Sequence, residues 1–159
     1  MPINAELDAI DWKILRELQD NGRMTNVELS QRVGISAPPC LRRLKRLEND
    51  GIIKGYRAIL DCPALGLDLV AFCLVGLHHQ SDAGLKEFSR LAQSWTIVRR
   101  AWMVSGETDF LLHCVASDLT SFQNFVIEVL TATPNVDTVR TALTIRQIKD
   151  EGLADIDVR

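Results

Sequence analysis

Four basic residues lie close together near position 45: Arg42, Arg43, Lys45 and Arg46. Guanidinium groups bind phosphate oxygens and match the two acceptors of guanine, whereas a lysine acts as a point charge. At about 100° per residue, a helix would place Arg42 and Arg46 together, with Arg43 and Lys45 on the flanks. The opposite stripe would comprise Leu41, Leu44 and Leu47. This pattern predicts phosphate contacts, although it also fits the solvated side of an ordinary amphipathic helix.

A second set of polar residues surrounds a glycine. It comprises Ser105, Gly106, Glu107, Thr108 and Asp109. Gly106 permits a close approach of the backbone, and a carboxylate from Glu107 or Asp109 can hold an α-amino group while neighbouring amides hold a carboxylate. The segment is therefore a candidate site for a small amino acid, with a simple β-turn as the alternative.

The histidines and cysteines do not have the spacing of a metal site. His78 and His79 are adjacent at the end of a predicted strand, so their side chains point to opposite faces, and His113 lies elsewhere. The four cysteines contain no C-x-x-C pair: Cys40, Cys62, Cys73 and Cys114. We expect free, buried thiols, and neither a metal nor a cofactor.

Capping signals predict two helices in the first 33 residues. Asp8 can cap the start of the first helix, and Asn21-Gly22 offers a left-handed residue at its end. Thr25 and Glu28 have the spacing of a capping box, which begins the second helix.

A tight turn leads from the second helix to a third. Gly34 ends the second helix, and Ser36 caps a helix whose first turn accepts Pro38 and Pro39. Gly51 ends this third helix. Three short helices with a glycine turn indicate a helix-turn-helix, whose third helix enters the DNA major groove. Residues 52–57 then predict a wing strand that presents Lys54 and Arg57 to phosphates.

The remaining hundred residues predict a ferredoxin-like βαββαβ unit. Strands are expected over 69–77, 97–104 and 110–115, with a last strand through Val139 and Ile145. One helix lies between the first two strands, and another begins at Asp118 with an inward stripe. This stripe comprises Phe122, Phe125, Val126 and Val129. Because the first strand is apolar on both faces, we expect the uncovered face of the sheet to pack against a second copy in a homodimer.

Length and charge agree with two domains in an α+β chain. Of 159 residues with a net charge of −3, residues 1–60 contribute +2 and residues 61–159 contribute −5. We divide the chain into a winged helix-turn-helix domain with a linker strand, residues 1–62, and a ferredoxin-like effector-binding and oligomerisation domain, residues 63–159. No apolar run is long enough for a membrane span and no signal peptide is evident, so a cytoplasmic location is expected.

Together these motifs resemble the leucine-responsive regulatory protein and AsnC-type family, the feast/famine regulators. The matching segments are Leu7-Asp8-x-x-Asp11-x-x-Ile14-Leu15, Asn26-Val27-Glu28-Leu29-Ser30, Val33-Gly34-Ile35-Ser36, Pro39-Cys40-Leu41-x-Arg43-Leu44-x-Arg46-Leu47-Glu48 and Gly51-Ile52-Ile53-x-Gly55-Tyr56. The resemblance implies a sequence-specific, nucleoid-associated transcription regulator that is not an enzyme. The candidate DNA-binding residues are Asn26, Ser36, Ala37, Pro38, Pro39, Arg42, Arg43, Lys45, Arg46 and Lys54.

The resemblance also implies how the second domain works. In the family this domain dimerises sheet to sheet, dimers often assemble into octamers or other rings, and the Gly-x-x-Asp segment at 106–109 lines an effector pocket. Thr138, Arg140 and Thr141 on the last strand would contribute to it, and Trp102 either shapes the pocket or fills the core. An amino-acid effector would then change assembly or operator binding.

Two alternative functions would each require different residues. A metabolic enzyme or its regulatory subunit would need a nucleophile-base set, a phosphate loop or a catalytic domain, none of which the sequence contains. A thiol or metal switch would depend on Cys40, which lies in the third helix. Packing beside Leu41 is sufficient to explain that cysteine.

Overall fold

The computed structural model describes residues 7–150. The chain divides into two compact units, one that carries the first three helices and extends to Ile59, and one that spans Leu60–Ile148. Within residues 7–150, no helix is long and apolar enough to cross a membrane.

The first unit contains three helices around a small core. They are α1 (Ala9–Asp20), α2 (Asn26–Val33) and α3 (Ala37–Asn49). The fully buried apolar side chains come from all three helices: Ile14, Leu29, Val33, Cys40 and Leu47. The helix-turn-helix predicted from the capping signals is confirmed.

The two capping motifs define where α1 and α2 begin. Asp8 accepts hydrogen bonds from the Asp11 backbone, and the Asp11 carboxylate accepts one from the Asp8 N–H, so that α1 also starts with a capping box. Thr25 and Glu28 form the predicted box on α2. Gly34 ends α2 with φ of 79°, a conformation that favours glycine. Local sequence signals therefore determine the turn before α3.

The end of α1 differs from the prediction. Asn21 follows α1 in an extended conformation with φ of −139°, and Gly22 is not among the residues of positive φ. A Cβ at Gly22 would lie 3.3 Å from Cδ1 of the Tyr56 ring. Gly22 thus allows close packing of the Tyr56 ring rather than a left-handed turn.

The predicted wing strand is also wrong. Residues 52–57 have no strand partner within the described chain, and the segment is irregular as far as the short 3₁₀ turn Pro63–Leu65. Instead, Tyr56 is held by a hydrogen bond from its hydroxyl to Glu48 Oε1 at 2.9 Å. Burial and this carboxylate raise the pKa of Tyr56 to about 12. The side-chain anchor replaces the ladder of backbone hydrogen bonds that a wing strand would have had.

The second unit has the predicted ferredoxin-like order. Its elements are β1 (Leu69–Leu77), α4 (Asp82–Ser94), β2 (Val98–Met103), β3 (Phe110–Ala116), α5 (Leu119–Asn124) and β4 (Val136–Leu143). The antiparallel sheet has the strand order β2-β3-β1-β4. Alternate residues of β1 and β3 are buried in the core with Phe88 of α4 and Phe122 of α5. The other face of the sheet carries no element of this unit.

A π-helical segment changes the inward face of the last helix. Residues Phe125–Leu130 continue α5 as a π-helix, in which the Thr131 N–H donates to the Val126 carbonyl. Leu130 is consequently buried, whereas Val129 is 38% exposed. The predicted stripe is therefore wrong at Val129, because it assumed 3.6 residues per turn throughout.

Candidate DNA-binding surface and effector site

The buried side of α3 comprises Cys40, Leu44 and Leu47, spaced four and three residues apart. Leu41, which the sequence placed in the core, is instead 40% exposed. The inward face is therefore rotated toward Cys40, since this small side chain fits against α1 and α2 where a leucine would need more space.

Arg43 and Arg46 turn toward α1. Arg43 Nη1 donates to Asp8 Oδ2 at 2.6 Å and to Asp11 Oδ1 at 3.0 Å, and Arg46 Nη2 donates to Asp11 Oδ2. The Asp11 side chain is only 1% exposed. The two carboxylates raise the pKa of Arg43, Asp8 first and then Asp11. Backbone donation from Asp11, followed by the Arg43 guanidinium, holds the pKa of Asp8 below its usual value.

Arg42 and Lys45 remain on the open side of α3. They line a shallow depression with Pro38, Leu41, Arg46 and Asn49. The grouping of Arg42 with Arg46 that helical periodicity predicts is therefore present, and Lys45 joins it. The exposed surface combines three cations with two apolar side chains, a composition suited to phosphates, guanine acceptors and thymine methyl groups.

The start of α3 is held by a neighbouring side chain. Asn26 Nδ2 donates to the Ala37 carbonyl at 2.9 Å, and Asn26 Oδ1 is buried without a hydrogen-bond partner. Ser36 occupies the cap position, but its side chain makes no capping hydrogen bond, which leaves the hydroxyl accessible. Pro39 is half-buried beside exposed Pro38. Asn26 thus positions α3 from a partly buried site.

The two candidate cations that follow α3 are exposed. Lys54 and Arg57 both lie in the irregular segment that follows α3. Neither is presented by a strand, so their geometry differs from the predicted wing.

Three of the four thiols are buried, and Cys62 is half-buried. Cys40 has no exposed surface, and burial raises the pKa of its thiol. In the second core, Cys73 Sγ and Cys114 Sγ are 4.0 Å apart, within hydrogen-bond distance for sulfur, and form no disulfide. A thiol switch at Cys40 would require a reactive thiolate, which this environment disfavours.

The loop between β2 and β3 contains the second candidate site. Gly106 has φ of 126°, and Glu107 Oε2 lies 3.5 Å from Arg140 Nη1 on β4. Both charged side chains are exposed, and the polar neighbours Ser105 and Thr108 lie in the same loop. The fold therefore brings the loop and β4 together, as the resemblance implied.

Asp109 has a structural role at the end of this loop. Its Oδ2 accepts a hydrogen bond from the Leu77 N–H at 2.8 Å, and its own N–H donates to the Val75 carbonyl at 2.9 Å. These bonds join the start of β3 to the end of β1. One carboxylate oxygen of Asp109 is thus already engaged, and Glu107 is the more accessible acid.

The candidate residues of β4 are divided between two faces. Arg140 pairs with Leu74 and Thr138 pairs with Gly76, on the uncovered face of the sheet. Thr141 pairs with Cys73, whose side chain is in the core, so Thr141 lies on the opposite face from Arg140. The grouping of Thr141 with Thr138 and Arg140 is therefore wrong, because the period-two alternation of a strand separates them.

Gly76 makes room for Thr138. A Cβ at Gly76 would lie 2.5 Å from Thr138 Oγ1, a distance that real Cβ atoms do not reach. A glycine within a strand marks this close approach. Gly76 was not among the residues predicted to belong to the site, although an isolated glycine in an apolar strand is a signal of such a contact.

The uncovered sheet face is largely apolar. Phe72 and Leu74 of β1 lie beside Leu111 of β3, and Trp102 of β2 pairs with Leu111. Trp102 is 43% exposed and does not belong to the core of its unit. The interpretation of Trp102 as core filling is therefore wrong.

His78 and His113 each contact a neighbouring side chain. His78 Nδ1 lies 3.1 Å from Asp137 Oδ1, and His113 stacks on Phe72 with ring centroids 5.2 Å apart. Burial, with a smaller effect of Arg100, lowers the pKa of His113. Among residues 7–150, no three histidine, cysteine or acidic side chains are grouped so that they could hold a metal ion.

Two family models together match most of this chain. Residues 7–54 match the winged helix-turn-helix DNA-binding model, and residues 70–154 match the Lrp/AsnC ligand binding domain. The leucine-responsive regulatory protein of Rhizobium meliloti strain 1021 is 71% identical over 98% of this chain and all of its own length. That of Escherichia coli K12 is 36% identical over 97% of this chain and 94% of its own.

Solved structures show the same architecture. A transcriptional regulator from Neisseria meningitidis, solved as its complex with L-Met, has a TM-score of 0.88 at 39% identity, covering 91% of this chain and 94% of its own. An AsnC family regulator from Agrobacterium tumefaciens has a TM-score of 0.86 at 30% identity, with the same coverage of both chains.

These relatives are transcription regulators and not enzymes, and the alternative of a metabolic enzyme is excluded on that ground. The helix-turn-helix and the sensor-type sheet follow one another in the order of the family. The chain belongs to the Lrp/AsnC family and is a DNA-binding transcription regulator with an amino-acid-binding domain.

Proposed function

We propose that the open side of α3 binds DNA mainly through Arg42, which contacts base edges, and Lys45, which contacts phosphate. The observation that supports this proposal is the placement of the four cations: Arg42 and Lys45 line the open depression on α3 together with Arg46, whereas the guanidinium groups of Arg43 and Arg46 bind carboxylates at the start of α1. Exposed Lys54 is assigned to phosphates, which position the protein without reading sequence. Ser36, Ala37 and Pro38 at the start of α3 complete this surface.

Alanine substitutions test the assignment. Arg42→Ala is expected to weaken binding to a DNA site selected by the wild-type protein by about 1–3 kcal/mol, because bidentate base contacts discriminate by that amount. Lys45→Ala should weaken selected and random DNA alike and reduce the salt dependence. The control is Arg90→Ala, whose guanidinium binds Glu87 on α4. Unchanged affinity in folded Arg42→Ala and Lys45→Ala variants would reject this surface.

The second unit forms a homodimer through its uncovered sheet face, and dimers assemble further toward octamers. The apolar side chains of Phe72, Leu74, Leu111 and Trp102 support this proposal, since a soluble sheet rarely leaves such a face in water. A dimer also places two α3 helices on one DNA molecule, so that a modest contact is multiplied. Such an assembly acts in the cytoplasm, associated with the nucleoid.

An amino acid is the effector, bound beside the β2–β3 loop. Glu107 and Arg140 offer an anion and a cation 3.5 Å apart, the charges that the α-ammonium and α-carboxylate of one amino acid require. Thr138, on the same sheet face as Arg140, and the loop residues Ser105, Gly106 and Thr108 supply further polar atoms. The L-Met complex of the Neisseria regulator and the leucine-responsive name of the relatives favour an apolar side chain.

Thermal shift with the twenty amino acids tests the effector. A ligand at 100 times its dissociation constant adds about 2.7 kcal/mol to the native state. The shift should disappear in Glu107→Gln and Arg140→Gln, and persist in Lys86→Gln, which removes an exposed charge bound to Asp82. Asp109 is a poor choice of variant because it supports the end of β1. A shift that persists in both pocket variants would move the effector site elsewhere.

A further inference from the structure

Asp11 is a buried carboxylate at the edge of the proposed DNA-binding surface. Its two oxygens accept hydrogen bonds from two arginines of α3, Arg43 at 3.0 Å and Arg46, while Asp8 Oδ2 accepts from Arg43 at 2.6 Å. Two carboxylates thus face two guanidinium groups. We call Asp8, Asp11, Arg43 and Arg46 the carboxylate clamp.

Asp11 is the buried member of the clamp. Its side chain is 1% exposed, whereas the Asp8, Arg43 and Arg46 side chains are 51%, 25% and 46% exposed. A buried charge is costly to leave without its partner, so Asp11 holds the guanidinium groups strongly. A phosphate that approached Arg46 would have to compete with Asp11, and one that approached Arg43 would meet the negative charge of Asp8 as well.

We propose that Asp8 and Asp11 are positioning residues that withhold Arg43 and Arg46 from DNA phosphates and thereby lower the affinity for DNA of any sequence. Phosphate contacts strengthen binding to every sequence equally, so each cation that is withheld lowers non-specific affinity. Binding then depends more on Arg42 and Lys45, which line the open depression on α3. This inference rests on the proposed DNA-binding surface.

Two substitutions weaken the hold on the arginines while conserving local structure: Asp11→Asn acts on both Arg43 and Arg46, and Asp8→Asn acts on Arg43. Asp8→Asn keeps a good N-cap for α1, and Asp11→Asn keeps an oxygen that can accept from the Asp8 N–H. Glu17→Gln is the matched control, because it removes one negative charge from α1 but frees Arg32 of α2 and not a residue of α3. All three are made in the full-length protein.

The measurement is fluorescence anisotropy with a DNA site selected by the wild-type protein and with a random duplex, from 50 to 200 mM KCl. Each arginine released to phosphate adds about 0.9 to the salt exponent, which is about a 3.5-fold greater loss of affinity over this range. Asp8→Asn and Asp11→Asn should bind both random and selected DNA more tightly at 50 mM KCl, in nearly the same proportion. Glu17→Gln should retain the wild-type salt exponent.

The triple variant D11N/R43Q/R46Q separates charge from structure. Loss of the added arginine contacts should return the salt exponent to the wild-type value or below, which a general defect in folding would not do. The inference is overturned if folded Asp8→Asn and Asp11→Asn show an unchanged or smaller salt exponent, or match Glu17→Gln. Should Asp11→Asn unfold by circular dichroism, Asp8→Asn decides alone. If Arg42→Ala and Lys45→Ala do not alter binding, the DNA-binding surface itself is rejected. This outcome is distinguishable from failure of the present inference, which concerns only Asp8→Asn and Asp11→Asn.

Discussion

At the scale of single residues, polar side chains hold backbone segments in place through hydrogen bonds at several points. Asn26 holds the start of α3 and Tyr56 is anchored on Glu48 where no strand forms. Asn135 is a third example. It has φ of 70°, and its side chain bridges the backbone of His79, accepting from the N–H and donating to the carbonyl at 2.9 Å each.

Asn135 should therefore contribute to the stability of the second unit. Asn135→Ala removes both hydrogen bonds and places alanine in a left-handed conformation, so we expect a loss of about 1–2 kcal/mol in urea denaturation. Asn135→Gly relieves the backbone cost but not the lost bonds, and should be about 1 kcal/mol less destabilising. Equal effects of the two substitutions would contradict the role of the positive φ.

His113 makes stability depend on pH. Burial and Arg100 lower its pKa in the folded state, and its Nδ1 has no hydrogen-bond partner. A lowered histidine pKa means that the unfolded chain binds more protons, so stability should fall as the pH drops below about 6.5. The melting temperature between pH 5 and 8 should depend less on pH in His113→Phe. An identical profile in the variant would assign the dependence to other groups.

At the scale of elements, the way a helix turns determines which side chain is inward. The π-helical segment Phe125–Leu130 buries Leu130. In α3, Cys40 is buried and Leu41 is exposed, so the inward face differs from the one predicted. In both helices the apolar residues are spaced as an α-helix requires, but more than one face is compatible with that spacing.

Leu130 and its neighbour test the π-helical segment. Leu130→Ala is expected to cost about 2–5 kcal/mol, because the side chain is buried, while Val129→Ala should cost less than about 1 kcal/mol. Urea denaturation of both variants measures the difference. If Val129→Ala were the more damaging, the helix would have to continue in regular α-helical register.

At the scale of the whole molecule, the uncovered sheet face and the β2–β3 loop are adjacent. Arg140 lies on that face and pairs with Glu107 of the loop, so an amino acid bound there would lie at the edge of the proposed dimer interface. Binding would then change assembly through contacts that differ between free and bound states.

Leu74→Lys should dissociate the proposed dimer. The new ammonium lies opposite Arg140 in the register and would bury an unpaired charge against the second copy. Light scattering coupled to size exclusion should show a monomer, whereas Ile127→Lys, at an exposed helical position, should keep the wild-type mass. A dimer in Leu74→Lys with unchanged mass would place the interface elsewhere.

Features that depend on neighbouring residues could be predicted from the sequence alone. The Thr25–Glu28 capping box, the left-handed Gly34 and the Asp118 cap each satisfy backbone groups within a few positions, so their patterns can be recognised directly. The order of strands and helices in the second unit followed from the periods of apolar residues. The candidate loop at 105–109 was identified from its residue types, and its association with β4 came from the family resemblance.

The packing of distant segments determines what each candidate side chain contacts. Arg46 lines the same depression as Arg42, as the helical period predicts, but its guanidinium also binds the buried Asp11, 35 positions away along the chain. Thr141 was grouped with Arg140 through the family resemblance, but pairing with Cys73 places it on the other face. Contacts between distant residues depend on how helices and strands pack, and local patterns do not contain that information.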